Sequence, residues 1–352
     1  MISIRAKPIA QAILNGNTMM KPICAAFLFL GLVACAPTDA PQLTPDEQKV
    51  LDDYRASKAI SSTETTISDA PAPKRRALTL PAYFDCVRKA GGTLIASHRG
   101  GPVGGYPENA LETLQYGFEQ GIRVFEIDVA ETSDGMLTLM HDDRLNRTTT
   151  GTGYVADTSW PDLSRMRLVD NNGDSTKFSP PKLSDVLIWA KESGAILELD
   201  KKNTTSFSNI ASAVKAAGAE DNVLLISYTD EQATQIARIA PNMMLTATAR
   251  GSRDIDKLIS LGVTPENLVA WTGTRSADEA AWARNAKEGV ESAFGTLGRP
   301  GERLDDVYWA DGDGSEYQAL ADSGLTMLAT DTPYRAADAM TADDVARESC
   351  ER

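Results

Sequence analysis

The chain reads as a parallel α/β protein built toward an eight-stranded barrel, and three observations carry that expectation. Short apolar runs alternate with amphipathic stretches along most of its length, the pattern of βα repeats. Candidate strands lie at 94–97, 122–128, 137–141, 195–201, 223–228, 243–247, 268–271, 290–294 and 326–330, with helical stretches near 109–120, 183–193, 207–217, 230–239, 254–261, 278–287 and 315–322. Polar, chemically capable residues gather where the early strands end. Finally, 352 residues with 42% hydrophobic content are enough for a large core. Nine strand candidates exceed the barrel's eight by one. Ser133-Asp134-Gly135 is a tight-turn signal between the second and third runs, so those two are expected to join without a helix. The segment 142–182, rich in Arg, Thr, Asn, Gly and Asp, fits a loop insertion after the third strand. No internal repeat is visible.

Taken from the N-terminus, Lys21 flanks an apolar stretch from Ile23 to Val33, which is signal-peptide length and too short to span a bilayer. Leu32-Val33-Ala34-Cys35 resembles a bacterial lipobox, which implies lipid on Cys35; an ordinary signal peptide is the alternative. The apolar core fits a start at Met19 or Met20 as well as at Met1. Residues 1–35 are therefore expected to be a signal peptide, and 36–80 a flexible tether rich in Ala, Pro, Thr, Ser and Asp. Thr44-Pro45-Asp46-Glu47 within it has the look of a helix start. Residues 81–352 make up the barrel, entered by a helical segment holding Tyr83, Phe84 and Val87 and then Gly91-Gly92. Ala36 after the cysteine points, by resemblance to sorting rules, to an exported protein anchored in the outer membrane and facing the periplasm.

The net charge of −14 and pI near 4.7 exclude nucleic acid as a partner, whose binders need basic surface, and argue against electrostatic docking on anionic lipid. A lipid anchor is the membrane contact the sequence does suggest. Cys86 and Cys350 bracket the folded region. Two independent thiols are one reading. Barrel closure, which brings first and last elements together, and an oxidising compartment favour a disulfide.

The chain has only two histidines, His98 and His141, and each ends an apolar run. Imidazole titrates near neutrality and serves as acid or base without extreme tuning. Between them stands Glu126-Ile127-Asp128, whose acids share one face of a strand because side chains alternate. Asp200 and Lys202 form a second such pair, with Glu198 on the same face. Acids inside a barrel need partners or a cation. Glu126, Asp128 and Asp200 therefore suggest a hard-oxygen site for Ca²⁺ or Mg²⁺; the alternative is a salt-bridge network with Arg99 and Lys202. The cation is favoured because the acids outnumber their partners. Trp271 and Trp309 read as core or rim packing rather than a substrate wall.

One family carries these motifs in the same order. His98-Arg99-Gly100, Pro107-Glu108-Asn109, Glu126-Ile127-Asp128-Val129, Asp134-Gly135, His141-Asp142, Arg147-Thr148-Thr149 with Gly151, Asp200-x-Lys202 and Ala329-Thr330-Asp331-Thr332-Pro333 resemble the glycerophosphodiester phosphodiesterases. The resemblance spans roughly 94–335 and is densest over 98–153. It implies a TIM (β/α)8 barrel, with His98 and His141 as the acid/base pair. It further implies Arg99 and Lys202 on the phosphate, Glu126, Asp128 and Asp200 on a divalent cation, and Glu108 and Asn109 supporting the first histidine's loop. The substrate would be a small glycerophosphodiester, cleaved to glycerol 3-phosphate and an alcohol. A phospholipase D-like relative acting on lysophospholipid or sphingolipid headgroups is the runner-up, and a non-catalytic phosphate-binding barrel the third reading. Three positions depart from the family pattern: Ala110 in place of Thr, Asp200 in place of Glu, and Phe294-Gly295-Thr296-Leu297-Gly298 in place of Trp-Thr-Val-Asn. The last alters the pocket beyond the phosphate.

Overall fold

A computed structural model of the chain describes residues 78–350 and Arg352. The expected signal peptide, Cys35, the tether up to 77 and the helix start at 44–47 lie outside the described residues.

Among the described residues, nine strands form one sheet: β1 Leu94–Ser97, β2 Val124–Glu131, β3 Leu137–Leu139, β4 Ile196–Lys201, β5 Val223–Ile226, β6 Met244–Thr248, β7 Leu268–Trp271, β8 Glu291–Gly295 and β9 Met327–Thr330. Their order is β1-β9-β8-β7-β6-β5-β4-β2-β3, and β1 also pairs with β2, which closes eight parallel strands into a TIM-like barrel. The surplus strand is β3. It runs antiparallel to β2 outside the ring, joined to it by the turn in which Gly135 N–H donates to Thr132 O at 3.0 Å.

Alternation along the strands builds two cores. One set of side chains, including Leu94, Val124, Ile196, Leu224, Met244, Val269, Ala293 and Met327, fills the barrel interior. The other set, including Ile95, Phe125, Leu197, Leu225, Leu245, Phe294 and Leu328, packs outward under the helices. Helix Leu80–Ala90 presses Leu80, Tyr83, Phe84 and Val87 into the interior cluster and seals the end where the strands begin. Its Arg88 pairs at 3.0 Å with buried Glu291 on β8. Cys86 of this helix is disulfide-bonded to Cys350, with the Cα atoms 6.0 Å apart. The bottom of the barrel is thus plugged by apolar side chains, and the open end is where the strands finish.

Several short helices escape the sequence expectation: Trp160–Leu163, Leu304–Tyr308, Pro333–Ala339 and Ala342–Ser349. None is long enough for a 3.6-residue period to stand out. The insertion 142–182 has a small core of its own, in which Leu145, Val155 and Leu163 bury against Ala130 and Met140.

Candidate active site

The strand register places the acids. Glu126 pairs with Glu198 and Asp128 with Asp200 across β2 and β4, so four inward carboxyls occupy two successive levels at the open end. Ligand atoms of Glu126, Asp128 and Asp200 all lie within 4.8 Å of one another, and all three residues are buried. Burial first, and then the Asp128 charge, push the Glu126 carboxyl well above the usual carboxylate range. Glu198, level with Glu126 on the neighbouring strand, is pushed up to about 7 by burial, with a Thr246 hydrogen bond opposing the effect and Asp200 adding to it.

Lys202 reaches into this cluster, with Nζ 2.6 Å from Asp128 Oδ1 and 2.6 Å from Asp200 Oδ2. Burial favours the neutral amine, but the two carboxylates outweigh it and raise the Lys202 pKa. The cluster therefore contains part of the salt-bridge network weighed above, yet one ammonium cannot balance three carboxylates. The fit to a hard dication is good on donor chemistry and on the like-charge crowding at Glu126, which such a cation would relieve. Glu126, Asp128 and Asp200 would hold it.

The first histidine stands on an unusual turn. Arg99, Gly100 and Gly101 follow β1 with φ of 52°, 82° and 76°, all left-handed. Two glycines enter that region freely; Arg99 does so at a strain of about 1–2 kcal/mol. Its N–H donates to Glu126 Oε2 at 2.7 Å, which ties the strained turn to the carboxylate cluster. Asn109, at φ 57°, donates its own N–H to Arg99 O at 3.0 Å. Its amide then clamps Asp128 twice, donating to Oδ2 at 2.7 Å and accepting the Asp128 N–H at 2.9 Å.

Each histidine has a carboxylate on Nδ1. His98 meets Asp331 Oδ1 at 2.6 Å, and its Nε2 lies 3.9 Å from Glu126 Oε2. Asp331 also accepts the Gly298 N–H at 3.0 Å and pairs with Arg303 at 2.9 Å. Burial would raise its pKa, but His98, that N–H and Arg303 together hold it at about 2. His141 meets Asp142 Oδ1 at 2.7 Å. The Arg147 guanidinium holds the Asp142 carboxyl far below its usual value and bonds Glu108 through two nitrogens, at 2.7 and 2.9 Å. Arg99 closes a ring, touching Glu108 at 3.2 Å and placing Nη2 2.9 Å from His141 Nε2. Because guanidinium only donates, Nε2 is the acceptor in that contact.

All the expected site residues of the barrel therefore meet at one end. Arg99 is turned toward Glu108 and His141, and Lys202 toward two acids, rather than standing free. Sequence reasoning gave no role to Asp331, Arg303, Asp142 or Arg147; the first lies in the motif 329–333 and the last two in the motifs at 141–142 and 147–149. Arg303 left no local signal. Tyr228 was also missed: the residue is 65% exposed, while its hydroxyl end approaches Asp200, and partial burial with the neighbouring carboxylates raises its pKa. A cavity of about 730 Å³ opens between His141, Asp142, Tyr154, Lys202 and Tyr228. A larger one of about 960 Å³, beside Tyr83 and the disulfide at the plugged end, contains none of the site residues.

Residues 98–265 match the model of the glycerophosphoryl diester phosphodiesterase family, a span that includes both histidines and the three carboxylates. Over that span the chain is similar to this family. A crystal structure of a glycerophosphoryl diester phosphodiesterase from Parabacteroides distasonis superposes with a TM-score of 0.65 at 26% identity, over 75% of this chain and 92% of that one. A glycerophosphodiester phosphodiesterase of Bacillus altitudinis is 30% identical over 160 residues, and an uncharacterized protein of Bacillus subtilis 32% over 157. These alignments cover 44% and 43% of this chain, and 65% and 64% of those proteins. The chain thus spans a little under two thirds of the length of these relatives. The family match ends at Pro265, leaving β7, β8, β9 and Asp331 beyond it.

Proposed function

We propose that this chain hydrolyses a glycerophosphodiester to sn-glycerol 3-phosphate and an alcohol, using a divalent cation and two histidines. The observation that carries this reading is the convergence of Glu126, Asp128 and Asp200 with two carboxylate-braced imidazoles at the open end of the barrel. A bound Ca²⁺ or Mg²⁺ supplies Lewis-acid stabilisation of phosphoryl charge. Arg99 and Lys202 add fixed positive charge beside the same place, the electrostatic contribution that usually dominates such reactions. Overall, an oxygen nucleophile loses its proton as it bonds to phosphorus, and the P–O bond to the alcohol breaks as that oxygen gains one. One imidazole takes the first proton and the other delivers the second. Asp331 and Asp142 hold the rings so that Nε2 of each faces the site. Glu108 and Asn109 keep the turn around Arg99 in place.

The test is release of glycerol 3-phosphate from glycerophosphocholine by the purified full chain, with Mg²⁺ or Ca²⁺ and with chelator. Turnover of lysophosphatidylcholine in preference would instead support the phospholipase D-like reading, and no turnover of either would leave a binding barrel. We further propose that the protein is exported and lipid-anchored through Cys35 in the outer membrane, the tether holding the barrel clear of the bilayer. The disulfide between Cys86 and Cys350 supports an oxidising compartment. Labelled palmitate should enter the wild type and not Cys35→Ala; equal labelling would refute the anchor.

A further inference from the structure

The ring order of the strands fixes what faces the carboxylates. Counting round the closed barrel, β7 stands diametrically across from β2, and β8 across from β4. The inward residue at the end of β7 is Trp271, and that of β8 is Gly295. An indole therefore confronts Glu126 and Asp128 across the barrel mouth.

Trp271 is unlike the other four tryptophans. Trp189, Trp282 and Trp309 join the outer core and Trp160 the small core of the insertion, whereas Trp271 packs on the barrel-interior cluster and is only partly buried. Its position is made possible by its neighbour. A Cβ on Gly295 would lie 2.8 Å from Trp271 Cη2, closer than real Cβ contacts come, and 3.0 Å from Thr274 Cγ2. Gly295 thus makes room for the outer edge of the indole at the end of β8. Leu297, also packed on the interior cluster, extends the same apolar side. The mouth accordingly has unlike sides: charged groups stand at the ends of β1, β2, β4 and β9, with Arg303 reaching Asp331 from the loop after β8, and the Trp271 indole stands at the end of β7.

We propose that Trp271, seated by Gly295, is the platform on which the glycerol carbon skeleton of the substrate packs, and so a specificity-determining residue. This rests on the hydrolysis reading above. A phosphate held beside His98, His141 and Lys202 projects its two substituents in different directions. The cavity of about 730 Å³ beyond His141 is open and bordered by polar groups, and suits an alcohol of variable size. The constant glycerol, with its small C–H face, suits a flat aromatic wall, where burial of a few CH groups gives useful affinity.

Titration calorimetry on the full chain in Mg²⁺ tests this with three probes: sn-glycerol 3-phosphate, inorganic phosphate and phosphocholine. The wild type should bind glycerol 3-phosphate more tightly than inorganic phosphate. Trp271→Ala should weaken glycerol 3-phosphate about tenfold, as expected for losing contact with two or three CH groups, while phosphate changes less than about twofold. Gly295→Ala, which keeps the indole but displaces it, should weaken glycerol 3-phosphate alone by several-fold. Trp271→Phe, a smaller ring that preserves packing, should retain most of the preference. The proposal is overturned if Trp271→Ala weakens all three probes equally, if it weakens phosphocholine most, or if the wild type does not prefer glycerol 3-phosphate. Failure of the hydrolysis reading shows separately, as no release of glycerol 3-phosphate by the wild type.

Discussion

Replacing Asp331 by Asn removes a charge while keeping the side chain's size, and the structure sets the scale of the effect. The Asp331 carboxyl lies 2.6 Å from His98 Nδ1 and titrates at about 2 rather than 3.8, a shift of about 2 units, or roughly 2.5 kcal/mol of preference for the ionised form. That preference is shared among His98, Gly298 N–H and Arg303. If all of it is lost in the transition state, turnover falls on the order of 10²-fold; if only the histidine's share is lost, nearer tenfold. The loss belongs in kcat, with KM within about threefold, because Asp331 touches the imidazole and not the phosphate. Stability gives a second reading. A carboxyl depressed in the folded state contributes fully above about pH 4 and loses that contribution as the pH falls toward 2. In urea titrations the variant should be less stable than the wild type at pH 6, by at most about 2.5 kcal/mol, and the gap should narrow at pH 3. An unchanged kcat, or a stability gap that does not depend on pH, would refute the claim that Asp331 charges and orients His98.

Three other outcomes are expected. His98→Ala and His141→Ala should each lower turnover by roughly 10²–10⁴-fold; with a p-nitrophenyl phosphodiester, whose leaving group needs no proton, one variant should recover much of its rate and the other should not. Asp128→Asn should weaken cation binding, so that calorimetry shows a lower affinity for Mg²⁺ or Ca²⁺ and added metal partly restores the rate. Reducing the Cys86–Cys350 bond, which closes a sequence separation of 264, should lower the melting temperature, by up to about 5 kcal/mol of stability on the chain-entropy estimate. Thiol counting on denatured, unreduced barrel should find neither cysteine free.

The sequence by itself determined the layer pattern and the identity of the acids. Alternation in Glu126-Ile127-Asp128 and in Glu198-Leu199-Asp200 sends every second side chain inward, which follows from strand geometry alone. It also showed that nine runs were one too many and that Ser133-Asp134-Gly135 was a tight turn between the second and third; that β3 is the surplus one came from the pairing. Strand limits moved by a few residues: β2 extends to Glu131 because β3 pairs with it, and β3 stops at Leu139. What only the tertiary structure decided depends on partners far apart in the chain. Asp331 reaches His98 because β9 pairs with β1, and Arg303 reaches Asp331 through a loop with no periodic signal. Lys202 turned out to be shared between two acids because the register sets Asp128 beside Asp200. The sequence singled out the departure at 294–298 and read Trp271 as core or rim packing, without relating the two; a gap in one strand becomes a seat for a ring only when closure lays β7 beside β8.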